Sequence, residues 1–250
     1  MKITLIEEAF DTCSTNILYA DSDTFFTSDP SQLMANLSPG ISYMHLREYR
    51  FDHLKDMPLP AGEAFRKFHT LISTQRFDLG KGYISLNDQM HSWNAGVMML
   101  HRSHRQLIPD VYALTDQLYP ATQNHASEQY AFSIILQNNT TIFPCESVIH
   151  HYWYRVKKSV MDNFLILQLT NAWTERSPEQ KKNDVLAWTE MLPLYLEEHV
   201  WMVRDKSVQA FNENNFRQGF FYAAKAFVKN PFNIKFLRDV LYHSKRYFTL

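Results

Sequence analysis

Two carboxylates stand two positions apart at the end of an apolar run, in Leu18-Tyr19-Ala20-Asp21-Ser22-Asp23-Thr24-Phe25-Phe26. In extended backbone, residues i and i+2 point to the same side. The spacing therefore predicts that Asp21 and Asp23 face one spot at the carboxyl end of a strand, where open α/β sheets bind ligands. Two adjacent carboxylates repel, and a hard divalent cation, Mg2+ or Mn2+, relieves the repulsion by taking oxygen ligands. Such an ion bridges phosphate oxygens and stabilises a departing diphosphate. The plainer alternative is a helix cap or a turn.

Three other chemistries share this spelling and fail on position. An EF-hand loop starting at Asp21 needs Gly at its sixth place and Glu at its twelfth, where this chain has Phe26 and Gln32. A phosphatase of the haloacid-dehalogenase type needs Thr or Val where Phe25 stands, and a zincin needs an HExxH helix, which is absent. His101 and His104 form an HxxH pair with no further ligand nearby in sequence, and read as a solvated surface. Trp93, Met98 and Met99 read as core. Glu128 suits the positive end of its own helix, and His150 and His151 suit a strand with satisfied partners.

The elements that must position these groups alternate between strand and helix in the first part of the chain. Asn16–Ala20 predicts a strand running into Asp21, and Met1–Ile6 a further one. Asp29-Pro30 predicts a helix start, with Asp as N-cap and Pro at the first helical position, and Ser38-Pro39-Gly40 predicts its stop. Ile41–Leu46 reads as a strand, and Ala61–Ser73 has helical apolar spacing. Trp93–His101 enters a strand after a tight Asn-Ala-Gly. Gln106–Tyr119 and Ser127–Leu136 read as helices, and Thr141–Phe143 and Ser147–Tyr152 as extended segments. This interleaving predicts an α/β layer structure.

From Lys157 onward the pattern is helical. Ser177-Pro178-Glu179-Gln180 fits a capping box with Pro at the first helical position. Asn214–Asn230 and Pro231–Phe248 read as a helix pair broken at Asn230-Pro231, with Phe216, Phe220, Ala223, Ala224 and Phe227 on one face of the first. The expected division is an α/β domain over residues 1–156 and an all-helical extension over 157–250.

Composition narrows the function classes. At 250 residues with 45% apolar side chains, the chain buries a core without disulfides or zinc. A net charge of −1 gives no general case for nucleic-acid binding. Acidic groups outnumber basic ones up to residue 150, and the reverse holds beyond it. The 6 glycines form neither of the two common phosphate-cradle motifs. Cys13 and Cys145 are far apart and belong to no CxxC, which predicts a reducing, cytoplasmic setting. Glu7, Glu8 and Asp11 near the start are unlike a signal peptide, and no apolar run is long enough to span a membrane.

Four segments, in order, resemble nucleotide-sugar-dependent glycosyltransferases of the GT-A fold. Tyr19–Phe26 is similar to their D-x-D segment, and Trp93–Met98 (WNAGVM) to their N-[AS]-G-[VF] segment. Ser127–Phe132 (SEQYAF) is similar to their [DS]-[EQ]-[QD] helix start. Ile149–Tyr152 (IHHY) is similar to the last histidine motif of the glycogenin and galactosyltransferase-like branch. The resemblance covers about residues 16–158.

The resemblance implies a mixed sheet flanked by helices and transfer of a sugar from a nucleoside diphosphate to a hydroxyl of a glycan or lipid-linked acceptor. It implies that Asp21 and Asp23, with Ser22 between them, bind Mn2+ or Mg2+ and the diphosphate. Asn94, Ala95 and Gly96 would line the sugar pocket, Gly96 by letting backbone approach closely. Glu128 and Gln129 would be catalytic on the acceptor side, Glu128 as general base or sugar-orienting carboxylate. His151 would be the third metal ligand, with His150 as the alternative, and Lys157 would bind diphosphate. The branch has Gly between that histidine and lysine and Pro-Trp after the lysine; this chain has neither. In these enzymes about the first hundred residues hold the nucleotide base, whereas twenty precede Asp21 here, so the resemblance implies either a truncated piece or a shortened fold that is inactive or needs a partner chain. A carboxylate base favours inversion and the histidine segment retention, and both stay open. A non-catalytic nucleotide-sugar-binding relative, a metal-dependent phosphohydrolase and a helical adaptor are the rivals. The basic, aromatic tail would suit peripheral contact with an anionic membrane at its cytoplasmic face, or with a polyanionic acceptor.

Overall fold

The computed structural model describes residues 2–57 and 62–249. The chain forms two compact units, Met1–His151 and Tyr152–Leu250. The first is mixed α/β; the second is helical throughout.

The first unit begins with helix α1 (Lys2–Thr12). This corrects the strand expected over Met1–Ile6. Ile3, Ile6 and Phe10 recur at three- and four-residue spacing and are all buried, so a single helical face covers the sheet side of the core. Strand β1 (Ile17–Ala20) then leads into a turn at Asp21–Asp23 and strand β2 (Thr24–Phe26). Helix α2 (Ser31–Ala35) is short and starts one residue later than expected: Pro30 occupies its N-cap position, and Asp29 Oδ1 accepts from the Ser31 N–H at 2.9 Å. Strands β3 (Ile41–Met44) and β4 (Arg47–Arg50) precede a 3-10 turn over Phe51–Asp56. Helix α3 (Glu63–Thr74) follows; the start expected for it at Ala61 lies outside the described residues. Strands β5 (Arg76–Asp78) and β6 (Tyr83–Ser85) form a hairpin through Gly80 and Gly82, both at positive φ.

Strands β7 (His91–Trp93) and β8 (Val97–Leu100) flank the Asn94-Ala95-Gly96 turn. A 3-10 turn over Arg102–Leu107 leads into α4 (Ile108–Thr122), then come α5 (Ser127–Asn139), β9 (Thr141–Pro144) and β10 (Ile149–His151). The main sheet runs β1-β8-β3-β9, with β3 and β9 parallel and the other pairs antiparallel. It is small and mixed, as the alternation of elements predicts in class.

Helices α1, α3, α4 and α5 pack with the sheet around one core. Phe51, Phe68 and Tyr130 form its aromatic centre, with ring centroids 4.4–5.1 Å apart. Trp93, Met98 and Met99 are buried as expected. His101 and His104 correct the solvated-surface reading. His104 is buried, accepts from the His101 N–H at 3.2 Å and lies 3.0 Å from the Pro39 carbonyl. With His101 it closes a capping box at the start of the Arg102–Leu107 turn.

The second unit contains α6 (Arg155–Gln168), α7 (Asn171–Thr174), α8 (Pro178–Glu198), α9 (Val200–Asn212), α10 (Phe216–Lys229) and α11 (Ile234–Thr249). The expected capping box opens α8: Ser177 Oγ accepts from the Gln180 N–H and Gln180 Oε1 from the Ser177 N–H. The expected helix pair is α10 and α11. The buried face of α10 is Gly219, Ala223 and Ala226, with Ala224 exposed rather than on that face. A Cβ on Gly219 would meet the Phe211 ring at 2.4 Å, so this glycine is what lets α10 lie close against α9. Among the described residues no helix is long and apolar enough to cross a membrane.

Candidate metal centre

Strand β1 delivers Asp21 and the following turn delivers Asp23. The two carboxylates converge because the chain turns, not because the backbone stays extended; Thr24 Oγ1 closes the turn onto the Asp21 carbonyl at 2.8 Å. The backbone N–H of Asp21 donates to the Gly96 carbonyl at 2.8 Å, which ties this turn to the Asn94–Gly96 turn. Strand β10 pairs with β2 in the register His151↔Thr24, so the ladder sets His151 beside Asp23. His150 falls one place along, opposite Phe25.

Asp21, Asp23 and His151 offer three ligand atoms within 4.8 Å of one another, the one such group among the described residues. His151 Nε2 lies 3.2 Å from Asp23 Oδ1 and 3.9 Å from Asp21 Oδ2. His151 is buried and the carboxylates are half-buried.

The protonation of His151 follows from its neighbours. The Gly96 N–H donates to Asn94 Oδ1 at 3.0 Å, and Asn94 Nδ2 donates to Glu48 Oε1 at 3.1 Å. A backbone N–H needs an acceptor and a carboxylate needs a donor, so the amide has one orientation. His151 Nδ1, 2.8 Å from Asn94 Oδ1, must therefore carry the proton. Nε2 lies 3.2 Å from Asp23 Oδ1, where the neutral ring offers a lone pair and the charged ring a donor. Burial holds the His151 imidazole below its ordinary range, against the opposing pull of Asp23 and Asp21. A cation at this spot, a proton on Nε2 or a metal ion, satisfies the ring nitrogen and the carboxylates together. A ligating histidine held by a hydrogen bond at its other nitrogen is the usual arrangement of metal sites.

Gly96 makes room for this ring. A Cβ there would lie 2.0 Å from His151 Cε1 and 2.3 Å from Nδ1. The close approach that glycine permits is to His151.

Two groups already engage Asp21. The Tyr19 hydroxyl donates to Oδ1 at 2.5 Å, and Lys2 Nζ lies 2.6 Å from Oδ2 and 3.0 Å from the Ala95 carbonyl. Burial first, then the hydrogen bond to Asp21, push the Tyr19 hydroxyl well above its usual range, so it stays a donor. Sequence reasoning missed Lys2 and Glu48. Neither carries a local signal: Lys2 arrives from α1, and Glu48 arrives from β4 to accept from Ser92, Asn94 and Gln129.

The remaining expected residues take these places. Ser22 is exposed on the turn. Gln129 Nε2 donates to Glu48 and Ser92, and Gln129 Oε1 accepts from the Ala95 N–H at 3.4 Å. Glu128 Oε1 accepts from the Ile3 N–H at 2.7 Å, so its carboxylate serves the N-terminus of α1 as well as standing in the first turn of its own helix. Glu128 also lines a cavity of about 280 Å³ with Thr115, Asp116 and His125. Lys157 belongs to the second unit, on α6, with its ammonium 5.1 Å from the centre of the Tyr154 ring.

No family model matches the chain, and neither a curated protein nor a solved structure matches it significantly.

Proposed function

We propose that the first unit binds Mn2+ or Mg2+ through Asp21, Asp23 and His151, and that it transfers a sugar from a nucleoside diphosphate to an acceptor hydroxyl. The observation that carries this reading is the convergence of His151 with the Asp21 and Asp23 carboxylates, three ligand atoms within 4.8 Å of one another. The donor set of two oxygens and one imidazole nitrogen suits Mn2+, and Mg2+ less well. Support for sugar transfer comes from the four resembling segments. They are far apart in sequence, yet Asp21, Asp23, Asn94, Gly96 and His151 meet directly, and Gln129 joins them through Glu48.

When bound, a divalent ion neutralises the diphosphate and eases its departure. The chain's own groups do the rest. Asn94 fixes the His151 ring and tautomer, and Glu48 fixes Asn94. Tyr19 holds Asp21 in place. Transfer breaks the bond between the sugar carbon and the diphosphate oxygen and forms one to the acceptor oxygen, whose proton passes to a base. Glu128 is the carboxylate for that task in the inverting version of the reaction. Its tie to Ile3 favours a second reading, a relative that binds the donor without turnover. Contact of the second unit with an anionic membrane or a polyanionic acceptor is part of the same proposal.

Titration calorimetry of the full chain with a panel of nucleoside diphosphates, with and without Mn2+, tests the reading. The expected result is Mn2+-dependent binding that Asp23→Asn abolishes, with a glycosylated product from one sugar nucleotide. Binding without product selects the non-catalytic relative. Binding indifferent to both Mn2+ and Asp23→Asn overturns the metal centre.

A further inference from the structure

The first turn of α1 brings a built-in cation to the metal centre. Lys2 Nζ touches Asp21 Oδ2, the Asp21 atom that also faces His151 Nε2. Oδ1 is taken by the Tyr19 hydroxyl, so an ion shared by Asp21 and His151 in this arrangement meets that same Oδ2. The placement of Lys2 is held by the fold: the next residue, Ile3, gives its N–H to Glu128 and buries its side chain. Its ammonium also meets the Ala95 carbonyl and lies 5.5 Å from the centre of the Tyr19 ring. The Lys2 side chain is 29% exposed, so it has an open side toward which it can swing.

We propose, on top of the metal-centre reading, that Lys2 is a tethered counter-ion that occupies Asp21 in the metal-free protein and competes with a divalent ion for it. Without metal, two carboxylates face one ammonium, leaving one negative charge in excess. A dication reverses that excess, and a displaced Lys2 then stands free to meet an anion. An ammonium is a compact charge with three donors and pairs well with phosphate oxygens. Lys2 thus sets a threshold for metal loading and couples loading to arrival of a phosphorylated ligand.

The test is Mn2+ binding to the full chain, followed by the electron paramagnetic resonance of free Mn2+, for the wild type, Lys2→Met and Lys2→Arg. Removing a charge-assisted contact and a like charge from the site is expected to tighten Mn2+ binding about tenfold in Lys2→Met. Lys2→Arg, which keeps the charge, should remain close to wild type. At saturating Mn2+, inorganic phosphate should bind the wild type and bind Lys2→Met more weakly. Equal Mn2+ affinity in wild type and Lys2→Met overturns the competition while leaving the metal centre standing. Failure of all three chains to bind Mn2+ removes the metal centre itself. Equal phosphate affinity overturns the coupling to an anion. Should Lys2→Met unfold, as seen by circular dichroism, Lys2→Gln replaces it with the same expectation.

Discussion

At the scale of single residues, the site depends on contacts that carry no sequence signature of their own. Gly96 matters because the His151 ring lies where its side chain would be. We expect Gly96→Ala to displace the ring, weaken Mn2+ binding and cost about 1–3 kcal/mol of stability, as overpacked sites do. Mn2+ titration and urea unfolding measure both effects. An alanine variant with native metal affinity would show that His151 does not bind the ion. The D-x-D pair itself was legible, because two acids after an apolar strand are visible in any window of the chain. Its geometry was not: the carboxylates meet through the Asp21–Asp23 turn, which Thr24 closes. The resemblance names His151 with His150 as the alternative, and the pairing of β10 with β2 sets His151 beside Asp23.

At the scale of elements, helices with clear punctuation were readable. The Ser177 capping box and the break at Asn230-Pro231 show why: their signals are hydrogen bonds and φ restrictions within a few residues. The short segments were harder. Met1–Ile6 reads as a strand only while Phe10 is ignored; with it, the apolar period is that of α1. Ile6 is buried against the core, so Ile6→Ala should destabilise the first unit by about 2–5 kcal/mol. It should also loosen Lys2 and Ile3 from the site. Thermal unfolding checks the first effect; a melting temperature unchanged in Ile6→Ala would mean that α1 is not packed as described. Strands β4 to β7 are three or four residues long, and so short a run has too few side chains to show alternation.

At the scale of the whole molecule, charge and burial predict how the chain answers acid and thiol reagents. The neutral His104 ring has both nitrogens satisfied, one by the Pro39 carbonyl and the other by the His101 N–H. Burial holds it below the ordinary 6.5, so the unfolded chain binds the proton more readily. Its contribution is complete above pH 6.5 and is lost as the pH falls through the depressed folded value. In the second unit Lys225 and Lys229 hold Glu198 down to about 2, so its contribution is complete above 4.5 and is lost as the pH falls toward 2. Urea midpoints recorded from pH 8 to 3 should fall in these two windows, and His104→Gln should flatten the upper one. A midpoint that rises between pH 7 and 5 contradicts the account. Cys145 is buried, with its thiol pushed up to about 12, whereas Cys13 is exposed. A thiol reagent should therefore modify one cysteine promptly in the native chain and the second only in denaturant; two prompt thiols would contradict the burial.

Local features are written in the chain's residue order: the acid pair after its strand, the capped helices, the α/β-then-helical order and the apolar faces. Each arises from interactions that span a few residues. Which distant groups share a space is settled only by folding. Lys2 and Glu48 enter the site from α1 and β4, and Asn94 and Gly96 shape it from a turn far along the chain. The proton on His151 Nδ1 follows from Gly96, Asn94 and Glu48 together, because a hydrogen-bond network assigns donors and acceptors only once its members are in contact.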